Sequence, residues 1–386
     1  MSLREEIWNI KPYMAAIRED LHRHPELGLH EYRTAERIEE ELDKLGLTSH
    51  RRIGETGVLA TLDTGKPGKT IFFRADTDAL PVKECNDVPY KSQNDGVMHA
   101  CGHDGHTAAL LGAARILLAH KDELKGKILF AFQQAEEIGS GARQFVAAGV
   151  MQGVDRAYGL HLSSGMDTGT FSLKSGPYSA CCDQVRIHIT GKSAHVSRPD
   201  EGVDALFIAS LIVVQIQSIV SRIVPPAESA VVGFGTCKSG TYYNIVAKDA
   251  SLEGTIRAFT PETRKRIRQA IHDIVDGACK VYGATGTVEI DNFADPVAND
   301  RDAFQEVVAA ATKLVGAEHV ESNPDKRFGA DDFADYTQVV KSAYVMVGSR
   351  KDAATGNAHH SEHFDFDEDA LCYACALEVQ LVLDTQ

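Results

Sequence analysis

The apolar patterning of this chain changes character after Gly176, and that change limits what it can fold into. Before it, strand-like runs alternate with helical ones. Strands fit 58–62, 70–74, 127–133, 156–161 and 170–174; helices fit 3–21, 32–45, 107–118 and 142–148. Such alternation predicts an α/β sandwich built on a mostly parallel sheet. After it, 184–190 alternates as a half-buried strand and a long helix fits 203–222. Strands follow at 229–237 and 250–258, then a helix over 261–282 opened by Thr260 as N-cap and Pro261 at its first position, then a strand at 286–290. The order βαββαβ is a complete ferredoxin-like unit. The expected organisation is therefore a first domain of residues 1–181 and 297–386, with 182–296 inserted as a second domain. The segments 300–314, 328–339, 342–347 and 367–383 would finish the first domain.

A chain of 386 residues suits two domains, and 43% hydrophobic with 25% charged residues is a soluble globular balance. A net charge of −15 argues against nucleic acid and anionic membrane as partners, since both need clustered Lys and Arg. No run reads as a membrane span or signal peptide. The most apolar stretch, 205–220, carries Ser210, Gln215 and Gln217 and reads as a packed helix. A cytoplasmic location is expected, with the eight cysteines as reduced thiols. Cys372 and Cys375 form a CxxC inside a helical pattern, which reads as burial rather than zinc or redox chemistry.

The octapeptide His99-Ala-Cys-Gly-His-Asp-Gly-His106 packs a thiol and three imidazoles between a strand and a helix, with Asp104 suited to the helix N-cap. Thiolate and neutral imidazole are ligands for zinc and similar cations. Four further pieces follow the same logic. Asp76 and Asp78 lie two apart at a strand end. Glu136 and Glu137 follow the strand 127–133. His161 ends another strand, and His359, His360 and His363 precede the last helix. Open α/β sheets bind ligands at such carboxyl ends. Two divalent cations sharing a bridging ligand would acidify a water and polarise a carbonyl. A carboxylate outside the ligand set must then move the proton. Glu136 fits that task, with Glu137 as ligand.

These segments resemble the M20 metallopeptidase superfamily, in particular the branch of N-acyl-L-amino-acid amidohydrolases, hippurate hydrolases and auxin-conjugate hydrolases. The resemblance is carried by His22-Arg-His-Pro-Glu-Leu-Gly28, Ala75-Asp-Thr-Asp-Ala-Leu-Pro81, the octapeptide, Glu136-Glu137, Gly159-Leu-His161, Gly191-Lys-Ser-Ala-His195, Gly254-Thr-Ile-Arg257 and His360-Ser-x-x-Phe364. It implies two divalent metal ions (Mn, Zn, Co or Ni) held by a bridging Cys101 with His103, Glu137, His161 and His360, with Asp76 and Asp78 behind them and Glu136 as general base. It implies that the inserted domain is a lid and dimerisation module, giving a homodimer. His195 would be an oxyanion donor, and Asn244 and Arg257 would hold the substrate carboxylate. The implied reaction converts a small-molecule N-acyl amino acid to a carboxylate and a free amino acid. His359 and His363 compete with His360; motif register favours His360.

The chain departs from the family pattern at Leu162-Ser-Ser-Gly165, Arg198-Pro-Asp200, Asn244-Ile-Val-Ala247, Gly329-Ala-Asp-Asp-Phe333 and Glu362-His363. These affect the acyl pocket rather than the metal chemistry. The alternatives are an N-acetyl-diaminopimelate-type deacetylase, a dipeptidase, and a non-catalytic metal-binding protein.

Overall fold

A computed structural model describes residues 2–386. The chain divides into two compact units. One takes in the chain up to Gly176, Val297–Asp325 and Asp331–Gln386; the other takes in Pro177–Pro296 and Lys326–Ala330.

The first unit is built on an eight-stranded sheet. From one edge its strands are His50–Ile53, Gly57–Asp63, Lys127–Gln133, Thr70–Asp76, Arg156–Asp167, Ser342–Arg350, Phe171–Ser172 and Val320–Glu321. The four central strands run parallel, and the antiparallel pairs lie to either side. The helix His103–Ala119 is apolar on nearly every side, as its sequence demands, and is buried among the helices Lys11–Arg23 and Asp369–Thr385. Cys372 and Cys375 are buried in the last of these, and none of the eight cysteines forms a disulfide.

Several local expectations are corrected. The first helix is broken at Ile10 into Leu3–Asn9 and Lys11–Arg23, because Pro12 lacks the amide that would continue the ladder. Asp104 is not the N-cap of its helix. Gly102 takes that place in a left-handed conformation (φ 89°), and the Asp104 carboxylate is claimed by Arg18 (3.1 Å) and His22 (2.8 Å). The 328–339 stretch is helical only at Ala334–Thr337, since Asp331 turns inward and accepts the Phe333 amide.

Glu378, in the last helix, is 2% exposed and its Oε2 has no hydrogen-bond partner. It borders a cavity of about 10 Å³ lined by Phe73, Tyr158, Leu160, Val345 and Leu381. Burial raises its carboxyl well above the usual range, so the folded state holds a proton that the unfolded chain releases. Stability is thus lost as pH rises above the unfolded carboxyl's pKa of about 4.3. Glu378→Leu is expected to stabilise the protein by about 1–3 kcal/mol, with a larger gain at pH 8 than at pH 5 in urea titrations. A pH-independent loss would contradict the assignment.

The second unit has the βαββαβ order and a four-stranded antiparallel sheet, ordered Thr285–Ala294, Cys182–Thr190, Asp249–Ala258, Ala230–Ser239. Thr260 caps the helix Pro261–Tyr282 as expected, accepting from the Thr263 amide. Asp183, fully buried, receives Arg264 (3.0 Å) and Arg268 (2.8 Å), which pins that helix to the sheet. The helix read as packed is only half so. Ile208, Ile212, Ile216 and Ile219 enter the core, but Leu206, Phe207, Val214, Val220 and Ile223 are exposed. A π-turn extends it, so Ala205–Ile223 is long and apolar enough to cross a membrane by length and composition alone. Its buried isoleucine stripe suits a helix packed on one face.

Candidate active site

The site forms where parallel strands of the first unit end. Past Thr70–Asp76 come Thr77 and Asp78; past Lys127–Gln133 comes a turn carrying Glu136 and Glu137. Ala135 opens that turn with a left-handed backbone (φ 55°), a strain that functional sites tolerate when their surroundings fix it. Here Glu31 accepts the Ala135 amide (2.8 Å), and the two oxygens of Asp78 accept the amides of Glu136 (3.0 Å) and Glu137 (2.9 Å). The adjacent carboxylates thus leave the turn separately, one buried and one half-buried.

Cys101, His103, Glu137, His161 and His360 converge. Cys101 Sγ lies 3.4 Å from His161 Nε2 and forms one close group with His103 and His161, and a second with Glu137 and His360. Glu137 Oε1 lies 3.4 Å from His360 Nε2 and 3.9 Å from His103 Nε2. Tautomers follow from the partners. His103 Nδ1 donates to the Asp78 carbonyl (2.9 Å) and His161 Nδ1 to the Leu162 carbonyl (2.6 Å), so each Nε2 carries the lone pair. His103 Nε2 and Glu137 Oε1 are buried without a hydrogen-bond partner. Orphaned donors of this kind, ringed round a thiol, fit cations of borderline softness.

The local charge agrees. Cys101 and Glu137 draw His360 up to about 10. Burial and then Glu137 push the Cys101 thiol up, against His103. Burial opposes ionisation of His103, but Asp76 and Cys101 outweigh it and raise it well above its usual value. Those protons sit on the lone pairs a metal would use, so metal binding must release them.

His359 behaves differently from His360. Its Nε2 accepts the Ser164 amide (3.4 Å), which leaves the hydrogen on Nδ1, 3.6 Å from Cys101 Sγ. His363 is exposed and in none of these groups. His99, at the head of the octapeptide, is buried with neither ring nitrogen partnered, and burial lowers it to about 4.

Glu136 is 6% exposed and lies close to His103 and Glu137 on one side and to Asp331 and Asp332 on the other. Burial, then Asp331, Glu137 and Asp332, raise it well above the usual carboxylate range. That is the environment of a group able to hold and release a proton. Its neighbours are organised by Arg74, which is fully buried and reaches Asp76 (2.6 Å), Asp331 (3.0 Å), Asp332 (2.8 Å) and Gln133 (3.0 Å). Burial opposes the charge on Asp76, but Arg74, His103 and His106 hold it well below the usual range. Sequence reasoning missed Arg74, Asp331 and Asp332. The available signal was an arginine inside the apolar strand Ile71-Phe72-Phe73-Arg74-Ala75.

The remaining predicted residues belong to the second unit. His195 is exposed; its Nδ1 accepts the Ser197 amide (3.1 Å), which leaves Nε2 as the donor. The Asn244 carbonyl accepts the Val196 amide (3.1 Å), which ties its loop to that of His195. Arg257 is half-buried on its strand, and among the described residues no carboxylate lies within 4 Å of it.

This fold, and a cluster able to hold two cations beside a free carboxyl, define a metallohydrolase. The model of peptidase family M20/M25/M40 matches residues 72–384, and the chain belongs to that family. It is 38% identical over 374 residues to thermostable carboxypeptidase 2 of Saccharolobus solfataricus, covering 96% of this chain and 94% of that one. It is 40% identical over 291 residues to an N-acyl-L-amino acid amidohydrolase of Geobacillus stearothermophilus, covering 75% and 79%. Among solved structures, the Bacillus subtilis YXEP protein, a dinuclear metal-binding peptidase of the M20 family, superposes with a TM-score of 0.85 at 31% identity over 97% of this chain and 98% of that one. The protein is a metal-dependent amidohydrolase, and its clustered thiol, imidazole and carboxylate groups are able to hold metal.

Proposed function

We propose that this enzyme hydrolyses N-acyl amino acids to a carboxylate and a free amino acid. The carrying observation is the division of labour at the turn: Glu137 faces Nε2 of His103 and of His360, while Glu136 faces a buried acidic pair. Cys101, His103, Glu137, His161 and His360 would hold the ions, drawn from Mn, Zn, Co or Ni, which the mixed sulfur, nitrogen and oxygen donors suit. Bound there, the ions acidify a water and polarise the amide carbonyl. Glu136 takes the proton from the attacking water and returns it to the leaving nitrogen. His195 donates from Nε2 to the carbonyl oxygen as charge builds on it. Asn244 and Arg257 hold the carboxylate of the amino acid, a task suited to a guanidinium with no carboxylate partner of its own.

The names of the carboxypeptidase and amidohydrolase relatives support the same substrate half. Both imply a leaving group that is an amino acid with a free carboxylate. We further propose a homodimer joined through the exposed apolar face of the Ala205–Ile223 helix, and a cytoplasmic location.

Dialysis against a chelator, with Mn, Zn, Co or Ni then restored singly, tests the reading on a panel of N-acetyl, N-benzoyl and long-chain N-acyl amino acids and their amides. Activity is expected to vanish and return, with the amides at least about 100-fold poorer because Arg257 loses its partner. No turnover of any N-acyl amino acid under any metal would refute it.

A further inference from the structure

We propose that His106 is a positioning residue for His161. It accepts the Leu162 backbone amide and so fixes the stretch of strand that aims His161 at Cys101. The idea rests on His161 being a metal ligand.

His106 lies one helical turn beyond His103, with ring centroids 5.5 Å apart, so by spacing alone it could be another ligand. Its partners exclude that. His106 Nε2 receives the Leu162 N–H at 2.9 Å, and an amide can only donate. The hydrogen is therefore on Nδ1, which donates to Asp76 Oδ1 at 2.5 Å. Both ring nitrogens are engaged, and the residue is 1% exposed.

The amide it accepts is at a weak point of the sheet. The parallel ladder between Thr70–Asp76 and Arg156–Asp167 ends at the pair Arg74 and Gly159. Beyond it, His161 and Leu162 keep Met346 and Val347 as strand partners on the other side. On the opened side the His106 ring serves as an acceptor for Leu162. The Leu162 carbonyl takes the His161 Nδ1 hydrogen at 2.6 Å, so both peptide groups flanking Leu162 are fixed. The rings of His106 and His161 stand edge to face at 4.6 Å. Gly105 makes the approach possible: a Cβ there would fall 2.8 Å from Leu162 Cδ1 and 2.6 Å from Phe366 Cζ. Asp76, held by Arg74, fixes the tautomer.

The test is titration of the full-length protein with Mn²⁺ or Zn²⁺ alone, comparing wild type, His106→Leu and His106→Gln. Wild type is expected to take two ions. His106→Leu should weaken one binding step about 10–100-fold, as loss of a ligand's support does, and leave the other within about threefold. Gln, which can still accept the amide, should recover part of that loss. Unchanged binding of both ions by His106→Leu would overturn the proposal. Should that variant not fold, ¹⁵N-histidine correlation spectra of the wild type decide it. An Nδ1–H tautomer, assigned to His106 by its absence from His106→Gln, is expected; an Nε2–H or doubly protonated ring would overturn it. A wild type that binds no more than one ion would sink the dinuclear reading instead.

Discussion

Replacing Glu136 by Gln is expected to leave an enzyme that still carries two metal ions but turns over N-acyl amino acids about 10²–10⁴-fold more slowly. The amide side chain keeps the shape and burial of the carboxyl, so the turn held by Asp78 should survive. What it cannot do is accept a proton and later release it. Placed where burial, Asp331, Glu137 and Asp332 already disfavour a further negative charge, the natural carboxyl is suited to both halves of that cycle. The loss should fall on kcat, because the step it serves lies after substrate binding. Metal analysis beside steady-state kinetics makes the check. An unchanged rate would remove Glu136 from the chemistry, whereas loss of metal with loss of rate would move it into the ligand set.

Replacing Cys101 by Ala should do the reverse. Cys101 is the one donor common to the group with His103 and His161 and the group with Glu137 and His360. Its removal deprives both cations of the same anion and leaves the histidines facing each other across a gap. Metal content is expected to fall from two ions to less than one per chain at micromolar metal, and activity by more than the 10–100-fold that loss of a mere supporting partner costs. The fold should persist: Cys101 sits at the mouth of a helix otherwise packed on alanine and leucine. Elemental analysis after desalting, with a thermal melt of the same sample, reads both quantities. Two ions retained per chain would mean that the thiol is a neighbour of the metals and not their bridge.

Much of this was legible because local signals and tertiary needs agreed. The helix Pro261–Tyr282 is bounded by Thr260 and by a left-handed Gly283, and its limits follow from those caps. The candidate ligands were legible only in combination, as thiol, imidazole and carboxylate groups recurring beside strands; His161, expected to end its strand, lies inside Arg156–Asp167, which runs on to Asp167. The supporting layer was not. Arg74, Asp331 and Asp332 come from positions more than 250 residues apart in the chain, and no local rule forecasts a buried guanidinium that draws together three aspartates. Asp104 shows the converse failure. Its local fitness as a helix cap was outweighed by Arg18 and His22, partners that only folding brings near. The Glu136–Glu137 pair had two roles in prospect, but the device that separates them, a left-handed Ala135 under a doubly engaged Asp78, is a backbone feature without a sequence signature.

The position of Ser342–Arg350 in the first unit's sheet, between Arg156–Asp167 and Phe171–Ser172, has a consequence for biogenesis. A ribosome emits the latter two long before the strand that must slide between them. Until it arrives, the sheet has an open interior edge, and the loop bearing His359 and His360 does not yet exist. Non-local closure of this kind is slow. The full donor set therefore assembles only after that strand and the loop behind it have been made, and a nascent chain stalled before residue 340 should hold metal less tightly than the whole chain.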